Sequence, residues 1–200
     1  VSADPRTLAV YDARTTDYAR MVSAWQTPGL EGFLTALPRP GHVLDLGCGP
    51  GLDARAMMDA GLAVDAVDAS TAMVMAAREI GVPARQATFD QIDGTDIYDG
   101  IWANFSLLHA PRAALPGHLT ALARALKPAA LLHIGMKLGE GEGRDALGRY
   151  YTYYDEDDLV RHLTMSGFTP RARFKGMGKG LSGEQSPWIW LQATKEAHHG

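Results

Sequence analysis

One stretch constrains the fold of this chain more than any other: Val43-Leu44-Asp45-Leu46-Gly47-Cys48-Gly49-Pro50-Gly51. The apolar run at 43–46, broken by Asp45, reads as a buried strand, and three glycines at alternate positions end it abruptly. Residues 52–60 then carry apolar side chains at helical spacing and close on Gly61, a helix stop. The unit is therefore strand, glycine turn, helix. Glycines at such a turn let the backbone adopt positive φ and let a ligand approach main-chain N–H groups with no Cβ in the way. A nucleotide-like cofactor lying across the carboxyl end of a strand suits that geometry.

The glycine spacing narrows the cofactor. A dinucleotide fingerprint runs G-x-G-x-x-G and seats a pyrophosphate on the helix N-terminus. Here the glycines run G-x-G-x-G, and the acid Asp45 stands two residues before the first. A carboxylate there repels a pyrophosphate and favours a ligand carrying an ammonium or sulfonium group. The stretch resembles the first motif of the class I S-adenosylmethionine (SAM) dependent methyltransferases, an acid followed by x-G-x-G-x-G, with Asp45, Gly47, Gly49 and Gly51 matching.

Downstream residues extend the resemblance to about residue 191. Residues 63–68 read as a second strand ending in Asp68, near the distance at which an acid meets ribose hydroxyls in a βαβ unit. The resemblance implies that Asp68 binds both hydroxyls. Ser70 is placed to cap the next helix, whose Met73, Val74 and Ala77 face inward. Residues 84–88 form a third candidate strand, and the family places an adenine-covering apolar residue and an acid there, matched by Phe89 and Asp90. The alternative is a solvated acidic loop with Asp93, Asp96 and Asp99.

A fourth strand at 98–103 leads into Asn104, Phe105, Ser106 and His109. Burying an unpaired amide is unfavourable, so Asn104 reads as a site residue. The resemblance implies cofactor contacts from Tyr18, Asp45, Gly47, Cys48, Gly49, Gly51, Asp68, Ala69, Met73, Phe89, Asp90, Asn104 and Ser106. His109 is the one candidate base; a helix cap beside Pro111 is its plainer reading.

The segment at 1–40 reads as a helical cap with a break at Pro28-Gly29, its stripe including Leu8, Tyr11, Tyr18, Met21, Val22 and Trp25. Family members often fold such a segment over the cofactor with a tyrosine near the methyl group, so Tyr11 and Tyr18 are the candidates, against ordinary packing. A helix at 115–127, a strand at 129–136, a helix at 155–165 and strands at 169–174 and 188–194 complete the chain. The family's usual glycine pair after Lys-Pro is Ala129-Ala130 here.

The expected architecture is a single α/β domain over residues 1–200: a doubly wound, mostly parallel, seven-stranded Rossmann-like sheet with an antiparallel last strand and helices on both faces. Its core spans 41–200, and a glycine-rich insertion at 136–154 overhangs the ligand crevice as a lid. Arg144, Arg149, Tyr150 and Tyr11 are the candidate acceptor contacts, and guanidinium forks suit an acidic, aromatic acceptor. The same arginines could instead pair with Glu140, Glu142 and Asp145.

The bulk numbers exclude several classes. Two hundred residues with a net charge of −4 and no basic block argue against a nucleic-acid partner. No apolar run approaches a bilayer span, and one cysteine rules out an internal disulfide framework, which points to the reducing cytoplasm. No metal-ligand spacing is present, and the tail His198-His199 does not make one. The expected partner is a small-molecule acceptor of unspecified nucleophile, with no nucleic acid and no membrane, on a monomer or homodimer. Two other readings stay open at this point: a non-catalytic SAM-binding module, and a nicotinamide oxidoreductase disfavoured by Asp45.

Overall fold

The computed structural model describes residues 3–24 and 26–197; Trp25, His198 and His199 lie outside them. Two cap helices, α1 (Pro5–Ala13) and α2 (Thr15–Ser23), meet at Arg14, and α3 (Leu30–Ala36) follows. The main sheet then alternates with helices: β1 (His42–Leu46), α4 (Leu52–Asp59), β2 (Ala63–Asp68), α5 (Thr71–Glu79), β3 (Arg85–Gln86) and β4 (Tyr98–Asn104). Next come α6 (Leu115–Ala125), β5 (Leu126–Lys137), a small ribbon of β6 (Glu142–Arg144) and β7 (Tyr150–Thr152), α7 (Glu156–Met165), β8 (Phe168–Lys179) and β9 (Gln185–Lys195).

The seven-stranded sheet has the order β3-β2-β1-β4-β5-β9-β8. Strands β1 to β5 pair in parallel, and β9 runs antiparallel to both β5 and β8. The last strand is therefore the antiparallel one, as the sequence leads one to expect. Strand order reverses between β1 and β4, so their carboxyl ends define the switch-point crevice.

Period-two alternation divides the core into two layers. On one face Leu44, Leu46, Ile101, Ala103, Leu132 and Ile134 pack with Leu119 and Leu122 of α6 and Leu159 and Leu163 of α7. On the other Val43, Trp102 and Leu131 pack with Phe33 of α3, Ala54 and Met57 of α4, and Val74 and Ala77 of α5. A parallel sheet needs both faces covered in this way.

Three boundaries depart from the sequence reading. The third strand shrinks to Arg85–Gln86, because residues 89–91 turn into a 3₁₀ helix boxed by Thr88 and Gln91. The two terminal strands are longer than their apolar cores, since hairpin pairing continues from Phe168↔Lys195 to Lys179↔Gln185. Ala129, where the resembled family has glycine, takes φ +62°. The substitution is thus accommodated by positive φ in the irregular first part of β5, between the Leu126 and Leu131 pairings with β4 and away from the crevice.

Candidate active site

The crevice at the carboxyl ends of β1 and β4 is lined by Tyr11, Tyr18, Gly47, Gly49, Asp68, Ala69, Met73, Phe89, Asn104, Ser106 and His109 among the residues named above. Leu46, Ala87, Thr88 and Phe105 join them, with Asp4, Thr7 and Leu8 of the cap. Asp45, Cys48, Gly51, Asp90, Arg144, Arg149 and Tyr150 are not part of that lining.

The glycine turn is held from behind. The Gly47 and Cys48 amides both donate to the Val67 carbonyl, at 2.8 and 2.9 Å, and the Gly49 amide donates to Asp68 Oδ2 at 2.9 Å. Those N–H groups are spent inside the protein, so the turn supplies close approach rather than amide donors. Each glycine has its own reason. A Cβ on Gly47 would lie 2.4 Å from the Ser106 Cβ, and one on Gly51 would lie 2.8 Å from the Ala77 Cβ. Gly47 thus lets β1 and β4 converge, whereas Gly51 lets the turn pack on α5. At Gly49, which lines the crevice with Gly47, a Cβ would stand 3.4 Å from the ring of Tyr18, which closes over it from the cap.

Two acids define the electrostatics. Asp45 is 2 % exposed, and its Oδ2 has no hydrogen-bond partner. Burial, with Asp53 and Asp68 nearby, pushes its carboxyl well above the usual range. The Ala54 amide reaches this carboxylate, but one oxygen stays unpartnered in an acidic surround, which favours a cation. Asp53 itself is satisfied by Thr27 at 2.6 Å and the Trp102 indole at 2.9 Å. Asp68 accepts the Gly49 and Ser70 amides at 2.9 and 2.8 Å, one on each oxygen, with a further backbone bond from Ala69, and its carboxylate keeps acceptor capacity for a vicinal diol.

At the end of β4, Phe105 has φ +54° and donates its amide to the Gly135 carbonyl at 3.1 Å. This backbone outlier at a crevice is the kind that surrounding structure must enforce. A Cβ on Gly135 would fall 2.5 Å from Asn104 Oδ1, so glycine on β5 makes room for the Asn104 amide. His133, stacked on Trp102 with centroids 3.6 Å apart, contacts that same oxygen through Nε2 at 3.2 Å. Burial pushes His133 down to about 3, so it is neutral, and its Nε2–H donates. The Ser106 hydroxyl is buried without a partner.

The cap brings Tyr11 onto His109. His109 Nδ1 lies 2.6 Å from the Tyr150 carbonyl, which can only accept, so Nδ1 carries the proton. Nε2 is then the acceptor of the Tyr11 hydroxyl at 2.9 Å. Arg149 Nη1 donates to the same phenol oxygen at 2.9 Å. Burial, opposed by the Tyr150 carbonyl and aided by the Arg149 and Lys137 charges, pushes His109 down to about 4.

The remaining sequence candidates sit around this centre. Asp90 is exposed in its 3₁₀ turn, while its neighbour Phe89 faces the crevice. Cys48 is buried, and its thiol is pushed up by burial and by Asp45. The insertion folds into the β6–β7 ribbon, and each of its arginines meets a carboxylate. Arg149, 1 % exposed, pairs with Asp145 at 2.6 Å. Arg144 makes two 2.9 Å bonds to Asp4, the residue that caps α1. The Tyr150 amide donates to Thr7 of α1 at 2.8 Å. Ribbon and cap are thereby fastened into one cover over the crevice, a connection between residues 4–11 and 144–150 that no local sequence signal announces.

Comparison with known proteins bears on this geometry. Residues 43–129 match the family described as methyltransferase domain. No curated protein matches the sequence. Among solved structures, a SAM-dependent methyltransferase from Methanosarcina mazei is similar at 16 % identity, with a TM-score of 0.74 over 86 % of this chain and 99 % of that one. The 1,6-didemethyltoxoflavin-N1-methyltransferase of Burkholderia thailandensis, solved with 1,6-didemethyltoxoflavin and S-adenosylhomocysteine, is 22 % identical, with a TM-score of 0.71 over 98 % and 92 % of the two chains. A Haloferax volcanii putative methyltransferase, in complex with the Trm112 activator, gives 16 % identity and a TM-score of 0.75 over 97 % and 99 %. These likenesses are of fold.

Residues 43–129 thus carry a methyltransferase domain, on a fold shared with solved SAM-dependent methyltransferases. The crevice fits a SAM cofactor: a buried acid behind the glycine turn with one oxygen unpartnered, for the ammonium, acceptor oxygens on Asp68 for a diol, and a glycine that leaves the approach open.

Proposed function

We propose that this enzyme methylates a small molecule, with the cofactor held in the crevice between β1 and β4. Asp45 takes the ammonium, Asp68 the ribose hydroxyls, and Phe89 with Met73 flanks the adenine. Gly47, Gly49, Ala69, Asn104 and Ser106 complete the inner wall under Tyr18. Cys48 and Gly51 support the turn from behind, and Asp90 serves the adenine edge from the solvent side. The observation that carries the small-molecule reading is the cover: α1 and the ribbon close the acceptor side with Tyr11 and His109 facing inward. The four acids Asp12, Asp45, Asp53 and Asp68 give the crevice a field that disfavours a polyanionic nucleic acid. The Burkholderia neighbour, named for methylation of a small heterocycle, supports the same reading. No helix among the described residues is long and apolar enough to cross a membrane.

SAM supplies a methyl group on a sulfonium, already activated for displacement. The protein's part is to align the acceptor and exclude water, an effect worth roughly 7–11 kcal/mol in favourable intramolecular cases. Where the acceptor must lose a proton, His109 receives it through Tyr11, whose hydroxyl already points at Nε2. Arg149 steadies that hydroxyl, and Arg144 and Tyr150 hold the ribbon that shapes the acceptor side.

Incubation with methyl-labelled SAM and a metabolite extract should place label in the small-molecule fraction and release S-adenosylhomocysteine. Label in tRNA or rRNA fragments, with none in metabolites, would overturn the proposal. With the acceptor in hand, His109→Gln should slow turnover by about 10²–10⁴-fold while SAM affinity holds. Because the His109 imidazole titrates near 4, the wild-type rate should stay level through pH 6.5 and fall only toward pH 4. An acid limb centred at 6.5 would place the base elsewhere.

Cofactor binding itself should depend on pH. The free enzyme holds the Asp45 carboxyl protonated to higher pH than an ordinary acid, and a bound ammonium favours the ionised form. Binding therefore releases a proton, and affinity should weaken as pH is lowered, beginning above the ordinary carboxylate range. Calorimetry in buffers of different ionisation enthalpy measures that release; zero release across the acid range would remove Asp45 from the cofactor.

A further inference from the structure

Arg144 and Arg149 are neutralised inside the protein, but Lys137 is not. It is the last residue of β5, at the carboxyl end of the sheet where the crevice opens. Among the described residues its ammonium forms no hydrogen bond or ion pair with a carboxylate. Instead Nζ lies 4.3 Å from the centroid of the Tyr151 ring, with the Arg149 guanidinium 5.2 Å from the same ring. The nearest acids are already committed or exposed: Asp145 is paired to Arg149, and Glu184 stands in the β8–β9 turn, open to solvent. Partial burial, with the Arg149 charge close by and Asp145 and Glu184 opposing, pushes the Lys137 amine down.

The surroundings of that charge are aromatic. Lys137 is directly opposite Trp188 on β9, so the two side chains share a face of the sheet. Trp188 lies edge-on to Phe105 at 5.9 Å, and Phe105 lines the crevice. On its other side Trp188 meets Phe174 at 5.9 Å, and Phe174 is 54 % exposed. A Cβ on Gly176 would fall 2.2 Å from Trp188, so glycine lets the indole lie flat across β8. The result is an aromatic row, Phe105–Trp188–Phe174, running outward from the crevice with one cation at its edge that pairs with no carboxylate among the described residues.

We propose that this row and Lys137 form the acceptor subsite, and that the acceptor is a planar aromatic molecule bearing an anionic group that Lys137 holds. The inference rests on the small-molecule reading above and names the substrate class for it. An indole and a phenyl ring favour a flat π-system by stacking, and a partly desolvated ammonium favours an oxyanion over a neutral polar group. Carboxylate and phosphate share that chemistry, and the experiment separates them. No proton or electron transfer is assigned to Lys137; it is a binding residue.

The test uses the full chain loaded with S-adenosylhomocysteine, so that cofactor binding is measured first and independently. Benzoate, indole-3-carboxylate and phenyl phosphate are titrated by calorimetry and by tryptophan fluorescence, each beside a neutral counterpart: benzamide, indole-3-carboxamide and phenol. At least one anion should bind tenfold or more tighter than its neutral partner. The anion that shows the larger preference identifies carboxylate or phosphate. Lys137→Met should abolish the preference while leaving S-adenosylhomocysteine affinity within twofold, and Lys137→Arg should keep most of it. Trp188→Ala should weaken anion and neutral partner alike. The proposal is overturned if no anion is preferred, or if the preference survives Lys137→Met. Failure to bind S-adenosylhomocysteine at all would overturn the methyltransferase reading and this subsite with it, whereas cofactor binding without anion preference overturns the subsite alone.

Discussion

Replacing Asp68 with alanine should lower SAM affinity by about a hundredfold, the largest binding loss expected from any single side chain here. Hydrogen bonds to a charged acceptor are each worth roughly 1.5–3 kcal/mol, or about ten- to a hundredfold in affinity. The structure adds a second contribution. Asp68 also holds the Gly49 amide at 2.9 Å and the Ser70 amide at 2.8 Å, so its loss frees the turn that must lie close to the cofactor. Two effects on one ligand place the outcome near the upper end of that range. Asp68→Asn keeps one acceptor oxygen but turns an NH₂ toward one of the two amides, and about a tenfold loss should remain. Calorimetric titration of each variant, with the circular dichroism spectrum confirming the fold, decides the matter. A loss below threefold for the alanine variant would remove the carboxylate from the cofactor's ribose.

The second large effect is on stability. Arg149 and Asp145 have side chains only 2 % exposed, joined at 2.6 and 2.9 Å, and the guanidinium also supports Tyr11. Removing one member of a buried pair leaves the other charged and desolvated, a change of about 3–5 kcal/mol. Asp145 keeps the Leu147 and Arg149 backbone amides at 3.0 and 2.9 Å, which moderates the loss. Arg149→Met should therefore destabilise the protein by about 3 kcal/mol and lower Tm by roughly 6–12 °C for a domain of this size. Pairing it with Asp145→Leu should recover much of that, because the orphaned acid is gone. An unchanged Tm would mean that Arg149 is free to leave Asp145, as a direct contact with an acidic acceptor requires.

Much of the crevice was legible in the sequence, for a physical reason. Asp45, Gly47, Gly49 and Asp68 belong to one βαβ unit, so short-range spacing records their geometry. The capping role of Ser70 is equally local, and its side chain accepts the Met73 amide. Gly51 shows where such reading blurs: the same motif position serves packing on Ala77, which only the fold reveals.

Long-range pairings left no comparable trace. The Arg144–Asp4 and Arg149–Tyr11 contacts join residues 140 and 138 positions apart. Sequence alone offered Arg144 and Arg149 to an acceptor because it could not show which acids would reach them first. Phe105 offered no warning of its positive φ, since nothing distinguishes it from a core phenylalanine until Gly135 is seen beneath it. Lys137 and Trp188 looked unrelated until the antiparallel register of β5 and β9 set them side by side. The third strand was overestimated because residues 84–88 contain no Gly or Pro to mark an end, while the Thr88–Gln91 box turns the chain early.

The central claim is that an acid-lined crevice at the β1–β4 switch point binds SAM, and titrating SAM into the wild-type protein tests it most directly. At micromolar protein the expected result is a saturable, one-site calorimetric isotherm, about a hundredfold weaker when Asp68 is replaced by alanine. No heat of binding up to millimolar SAM, from protein shown to be folded, would contradict it.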